Sequence, residues 1–243
     1  MIKGLYKSAS GMLPNMKKQE LTANNVSNVS TPGYKKDSMF TKELSRAEQK
    51  LSVKKSDWQQ PIAPEKYVDF ESGVFDRTGN ALDLAIDGDG FFTIQLEDGS
   101  TAISRNGSFT INSDGLLSVP GGGIVMAEGG AVEIGNGQVT VSAIGNIEVD
   151  GASVGKITPV TVNDLQKLEK IGRSMFLVPQ EEQLIPVTHA TIQQGYIESS
   201  NVDIVSEMVN MIIAYRNYEA NAKALQTQDT SLGNLFNRVG GKG

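Results

Sequence analysis

Both ends of this 243-residue chain carry apolar residues at alternating steps of three and four, and the middle does not. At the N-terminus Ile2, Leu5, Ala9, Met12, Met16, Ala23 and Val26 keep that rhythm, with Gln19 in the one polar slot. At the C-terminus Ile204, Met208, Met211, Tyr215, Tyr218, Ala222, Leu225, Leu232 and Phe236 keep it, interrupted at Asp229. Such spacing gathers side chains on one face of a helix. The C-terminal helix would run roughly 50 Å at about 1.5 Å per residue, and its stripe has to be buried against something. The two stripes satisfy each other in an intramolecular hairpin. Alternatively they pack against neighbouring copies, where heterologous contacts generate open helical filaments. Periodicity is compatible with both.

Boundary signals frame these helices. Pro14 removes an intrahelical donor and predicts a kink or weak point, and Thr31-Pro32-Gly33 stops the first helix with a turn. Ser199, Ser200 or Asn201 is placed to cap the second, and Gly240-Gly241 lies just past its end. Between the helices the period changes. Asp98-Gly99, Asn106-Gly107 and Asp114-Gly115 recur eight residues apart, and Asn136-Gly137, Gly145-Asn146 and Asp150-Gly151 follow. They separate short runs such as Phe91–Ile94, Ser108–Ile111 and Val139–Val141, the pattern of tight hairpins in a sandwich or barrel-like β domain. Thr161–Leu168 fits a brief helix or a strand end. Residues 40–70 are polar and broken by Pro61 and Pro64, which suits a partly ordered linker with room for a short helix. The fold expected is α+β, with a central all-β domain between long helices paired in coiled-coil fashion. Its parts are an N-terminal segment 1–35, a linker 36–70, a β domain 71–195 and a C-terminal helix 196–243.

Composition narrows the function. At 39% hydrophobic and 21% charged residues the chain is neither disordered nor membrane-embedded in type, and no apolar run approaches the ~18–20 residues of a membrane span. With no cysteine, disulfides, thiolate nucleophiles and Cys-ligated metals are excluded together. The N-terminus lacks the apolar core and small-residue cleavage site of a secretory signal. The net charge of −6 is unevenly spread: residues 1–60 hold 11 Lys+Arg against 5 Asp+Glu, and residues 61–200 hold 7 against 19. A basic arm raises nucleic-acid binding. Its lysines are scattered, however, and few aromatics are present to stack on bases, so a solvated face or subunit contact is favoured and no nucleic acid is expected.

Motifs for chemistry fail on inspection. In Asp87-Gly88-Asp89-Gly90, taking Gly90 as the loop glycine of a calcium-binding EF-hand puts Ala85 first and Leu96 last; taking Gly88 puts Ala85 third and Ile94 last. Neither set can ligate calcium. Gly121-Gly122-Gly123 has no lysine partner for a phosphate, and His189, the sole histidine, lacks a nucleophile-elbow sequence before it. No enzyme activity, metal or cofactor is expected.

Three stretches, in order, resemble the flagellar axial-protein family of rod and hook subunits. Leu21 to Lys35 is similar to its N-terminal signature through Asn24, Asn25, Asn28, Thr31, Pro32, Gly33, Tyr34 and Lys35. Thr78–Phe92 with Ser104–Phe109 and Asp114–Leu116 resembles the opening of its β domain, although Ala81 stands where the family often has proline. Gly195–Val202, Glu207–Ile212 and Tyr215–Glu219 resemble its C-terminal helix. The resemblance implies a structural subunit of the basal-body rod, with the helical ends in the inner layer of a hollow tube that carries torque. It implies copies of itself and other rod and hook proteins as partners, a periplasmic position, and export through the flagellar apparatus without a cleaved signal peptide. The interface residues would be the two stripes. Val68–Gly79 looks more like proximal-rod, FlgF-type members, and Met208–Ile212 suits the distal-rod, FlgG type; the former is favoured. A soluble adaptor with a closed helical hairpin is the more remote alternative.

Overall fold

The computed structural model describes residues 2–41, 64–135, 137–172 and 174–240. Two helices, α1 (Ile2–Ser27) and α2 (Ile204–Gly240), stand at the ends of a largely β chain, an α+β architecture. Contacts divide it into two compact units. One comprises Met1–Ser27, Asp37–Val68 and Asp203–Gly243; the other comprises Asn28–Lys36 and Asp69–Val202. Of residues 40–70, where a short helix is expected to fit, 42–63 fall outside the described residues.

In the helical unit α1 and α2 pack on each other. α1 runs through Pro14 as one helix, and beside the donor that proline lacks, the Asn15 side-chain amide donates to Gly11 O at 2.7 Å. At 37 residues, α2 is about 55 Å long. Its N-cap is Asp203, whose carboxylate accepts from Ser206 N at 2.6 Å. Asn201 has other partners, described below. Strands Asp37–Thr41 and Pro64–Val68 pair antiparallel, Asp37 opposite Val68 and Thr41 opposite Pro64. Both lie in what reads as linker from composition alone.

In the β unit every named strand pair is antiparallel. Its main sheet runs Glu169–Gly172, Met175–Leu177, Thr101–Ser104, Phe92–Gln95, Ile124–Ala127, Leu117–Ser118, Thr110–Ile111, with Gly130–Ala131 paired on the fifth of these. A second sheet of three strands covers Val139–Val141, Asn146–Val149 and Ala152–Lys156. Thr161–Leu168 is resolved as the end of strand Val160–Thr161 followed by a single 3-10 turn, Leu165–Lys167, capped by Asp164. Phe92, Ile94, Val125, Ile147 and Phe109 build the core, Phe92 and Phe109 meeting edge-to-face at 5.0 Å.

Asn106-Gly107 is not the hairpin turn its dipeptide suggests. The strands on either side of it pair with other partners. A Cβ at Gly107 would sit 1.6 Å from Leu84 O, and Leu84 N donates to Gly107 O at 2.9 Å. Glycine is needed here so that two backbones can touch.

Candidate functional site

The sequence points to two sets of residues, the helical stripes and the signature loop. In the helical unit the stripes are only half enclosed. Met12, Val26, Met211, Tyr218, Ala222, Leu225 and Leu232 are partly buried, while Met16, Ala23, Ile204, Met208 and Tyr215 are exposed. Among the described helix residues the buried ones are Leu21, Thr22 and Asn25 on α1 and Ala214 on α2, with Asn15, Glu207, Asn221 and Gln228 partly buried. Ala214 is 1% exposed, Gly11 approaches the Asn221 amide, and Asn25 Nδ2 donates to Glu207 at 3.4 Å. The side chains of Ile2, Leu5, Ala9 and Phe236 fall outside the described residues.

An apolar groove of about 450 Å³ lies between the helices, lined by Gln19 and Ala23 of α1 and Met211, Ile212, Tyr215, Arg216 and Glu219 of α2. Its rim holds large exposed apolar side chains, Ile212 at 55% and Tyr215 at 57%. Met208 and Val209 continue the exposed surface toward the start of α2. Asn25 holds the base of α1 by a different device: its side chain accepts from Asp37 N at 2.9 Å and donates to Asp37 O at 2.8 Å, pairing with that residue as a neighbouring strand would.

The signature loop belongs to the β unit. Asn28 caps the turn, accepting from Thr31 N at 3.1 Å, and Pro32 O accepts from the Ser174 hydroxyl at 2.9 Å. Gly33 has φ +65°, and a Cβ there would lie 2.2 Å from Asn106 N, so both conformation and space demand glycine. Its N–H donates to Glu198 O at 2.7 Å. Tyr34 is buried, with the Lys170 ammonium 4.3 Å from its ring centre. Lys35, 1% exposed, donates to the Glu198 carboxylate at 2.6 Å and to Glu71 O at 2.7 Å.

Glu198 is therefore a hub. Its carboxylate also accepts from Gly73 N at 2.9 Å and from Arg105 at 3.1 Å. Arg105 also donates through its terminal nitrogens to Ile86 O and Gly88 O, while its Nε is buried without a partner. Burial pulls both the Lys35 ammonium and the Arg105 guanidinium below their ordinary ranges, and the Glu198 charge pulls the other way. Arg105 lies in the family-resembling stretch Ser104–Phe109, and Glu198 and Asn201 lie in Gly195–Val202, but nothing in either stretch marks them as members of one cluster. His189 is exposed at the surface, 3.9 Å from Asp89, a solvated pair and not a catalytic one.

Three family models match the chain in order. They are described as flagella basal body rod protein over residues 5–35, flagellar hook protein FlgE/F/G D1 domain over 85–157, and flagellar basal body rod FlgEFG protein C-terminal over 193–238. Among curated proteins, the flagellar basal-body rod protein FlgF of Caulobacter vibrioides is 31% identical over 234 residues, covering 93% of each chain. The chain belongs to the flagellar basal-body rod family. The rod protein FlgG of Borreliella burgdorferi is 32% identical, covering 96% of this chain and 97% of its own. That of Bacillus subtilis is 29% identical, covering 98% and 99%. As a basal-body rod protein the chain is a structural, non-enzymatic part of the flagellum. Among the described residues no helix is long and apolar enough to cross a membrane. The first family match ends at Lys35, so the rod signature spans both the base of α1 and the loop wired to Glu198.

Proposed function

We propose that this chain is a proximal-rod, FlgF-type subunit. It polymerises with copies of itself and with other rod and hook proteins into the periplasmic tube that carries torque from motor to hook. It reaches that tube through the flagellar export apparatus. The observation that carries the assembly reading is the groove beside the α1–α2 seam with its rim of exposed Met208, Ile212 and Tyr215. A neighbouring subunit's helical end would fill it, extending the three-and-four rhythm of the seam into coiled-coil-like packing across subunits. Of the two arrangements open to the stripes, the hairpin uses one edge of each and leaves the other edge for neighbours.

The FlgF-type assignment is supported by length. The aligned span with the FlgF relative is 234 positions, shorter than this chain. With the FlgG relatives it is 259 and 262 positions for 96% and 98% of this chain, against 234 for 93% with the FlgF relative, so the FlgG alignments need more gaps opened in this chain. The FlgG relatives are of similar identity, which keeps the distal rod as the second reading.

The test is complementation. In cells deleted for the native gene, purified basal bodies are assayed for the chain carrying Met211→Asp or Leu225→Asp. An unpaired charge in the packing layer is costly, so neither variant should be incorporated. Normal incorporation and motility with both would overturn the assembly reading. Rescue of a distal-rod deletion but not of a proximal-rod deletion would overturn the FlgF-type assignment.

A further inference from the structure

The chain passes between its two units at residues 27/28, 36/37, 68/69 and 202/203. Three of those passages begin or end on segments of the β unit that are bonded to one another side by side. The Asn201 side chain accepts from Lys36 N at 2.8 Å and donates to Asp69 O at 2.9 Å and Glu71 O at 3.1 Å. Asp69 N donates to Lys36 O at 3.0 Å, and the two side chains form an ion pair at 3.1 Å. Beneath them Lys35 joins Glu198 to Glu71 O. One amide, one buried ammonium and one buried carboxylate thus tie segments 35–36, 69–71 and 198–201 together.

We propose that Lys35, Glu198 and Asn201 form an exit clasp, closed in the isolated subunit, that fixes the spacing at which the three chain connections leave the β unit. Load reaching that unit is then divided among three tethered segments. The groups are well matched to this task. A side-chain amide offers one acceptor and two donors in a plane, enough to serve two neighbouring segments at once. A buried ammonium and carboxylate that satisfy each other resist separation, since parting them leaves each unpaired in a low dielectric. Asn201 is a positioning residue here. Its bonds go to the passages and none goes to the core sheet. The load-dividing half of the proposal rests on the rod reading; the closed clasp does not.

The experiment is amide hydrogen exchange on the full-length purified chain carrying Asn201→Leu, with Gln194→Leu as a control. Gln194 also makes three side-chain bonds in the β unit, to Val141 N, Ala81 O and Val139 O. Exchange at the Lys36 and Asp69 amides should accelerate at least about tenfold in Asn201→Leu, the factor for one lost bond of ordinary strength. The Ile94 and Ile103 amides should be unchanged, and Gln194→Leu should leave Lys36 and Asp69 as they were. Unchanged exchange at Lys36 and Asp69 in Asn201→Leu would overturn the clasp. So would acceleration shared equally with the core, which would mean a general contribution to stability. If Asn201→Leu does not fold, Asn201→Ala replaces it, removing the same side-chain bonds without added bulk; acceleration at the Lys36 and Asp69 amides supports the clasp and none overturns it. For load, cells carrying Asn201→Leu should build rods in normal number yet lose swimming speed more steeply than wild type as viscosity rises. An identical viscosity dependence would overturn load division while leaving the exchange result standing.

Discussion

The Lys35 ammonium lies 2.6 Å from the Glu198 carboxylate, both side chains 1% exposed and 163 positions apart in the chain. The pair joins the turn after the first helix to the strand that leads into the second. Because Arg105 shares the same carboxylate, two buried cations contact one anion; backbone carbonyls accept from Lys35 and from the two terminal nitrogens of Arg105, while Arg105 Nε is buried without a partner.

Glu198→Gln removes that anion and leaves Lys35 and Arg105 without a counter-charge. It should destabilise the β unit by about 3–5 kcal/mol, the range for a buried pair broken on one side. Denaturant titration followed at β-unit amides measures this. Combining Lys35→Met with Glu198→Leu should recover part of the loss, because well-packed apolar replacements of a buried pair are tolerated. A double variant worse than the sum of its singles would contradict the pairing.

Gly33→Ala asks for a side chain at φ +65° where its Cβ would meet the Asn106 backbone at 2.2 Å. The loop must shift or the backbone strain, at about 1–3 kcal/mol. Thermal unfolding should record the loss, and the Gly33 N–H bond to Glu198 O should exchange faster.

Much of the helical architecture was legible, and the reason for its limit is specific. The three-and-four rhythm gives both helices, but a search for apolar residues selects Met16, Met208 and Tyr215, which the chain leaves exposed. The buried helix positions are Leu21, Thr22, Asn25 and Ala214; Leu21 lies off the stripe, and the other three carry little hydrophobic signal. Turn dipeptides mark the β unit but not its pairings. Asn106-Gly107 has the composition of a hairpin and serves a backbone contact with Leu84. Strand Asp37–Thr41 follows a polar helix end and pairs across residues that composition alone reads as linker. The Lys35–Glu198–Arg105 cluster is invisible locally because its members come from three distant segments, and only folding makes them neighbours.

Asp203 holds its carboxyl below the ordinary aspartate range because it accepts hydrogen bonds from Ser206, the backbone bond first. A depressed folded value means that the cap's contribution is complete above the unfolded value near 3.8 and is lost as pH falls through the folded one. Circular dichroism should show α2 losing helix in acid over that window. Asp203→Asn keeps an acceptor without the titration, so its helix content should lose this pH dependence.

Phe92→Ala removes a fully buried ring packed edge-to-face on Phe109. A cavity of that kind costs about 3–5 kcal/mol. The loss should be visible as a lower denaturant midpoint for the β unit.

The central claim is that the exposed apolar edges of α1 and α2 meet neighbouring axial subunits, and crosslinking from inside that surface tests it most directly. A photo-crosslinking amino acid replaces Ile212 in one strain and the exposed Ile144 of the β unit in another, and intact basal bodies are irradiated. The account predicts adducts from position 212 that map to the helical ends of a neighbouring rod or hook subunit, and fewer such adducts from position 144. Adducts from position 212 confined to the same chain, or none with incorporation intact, would contradict it.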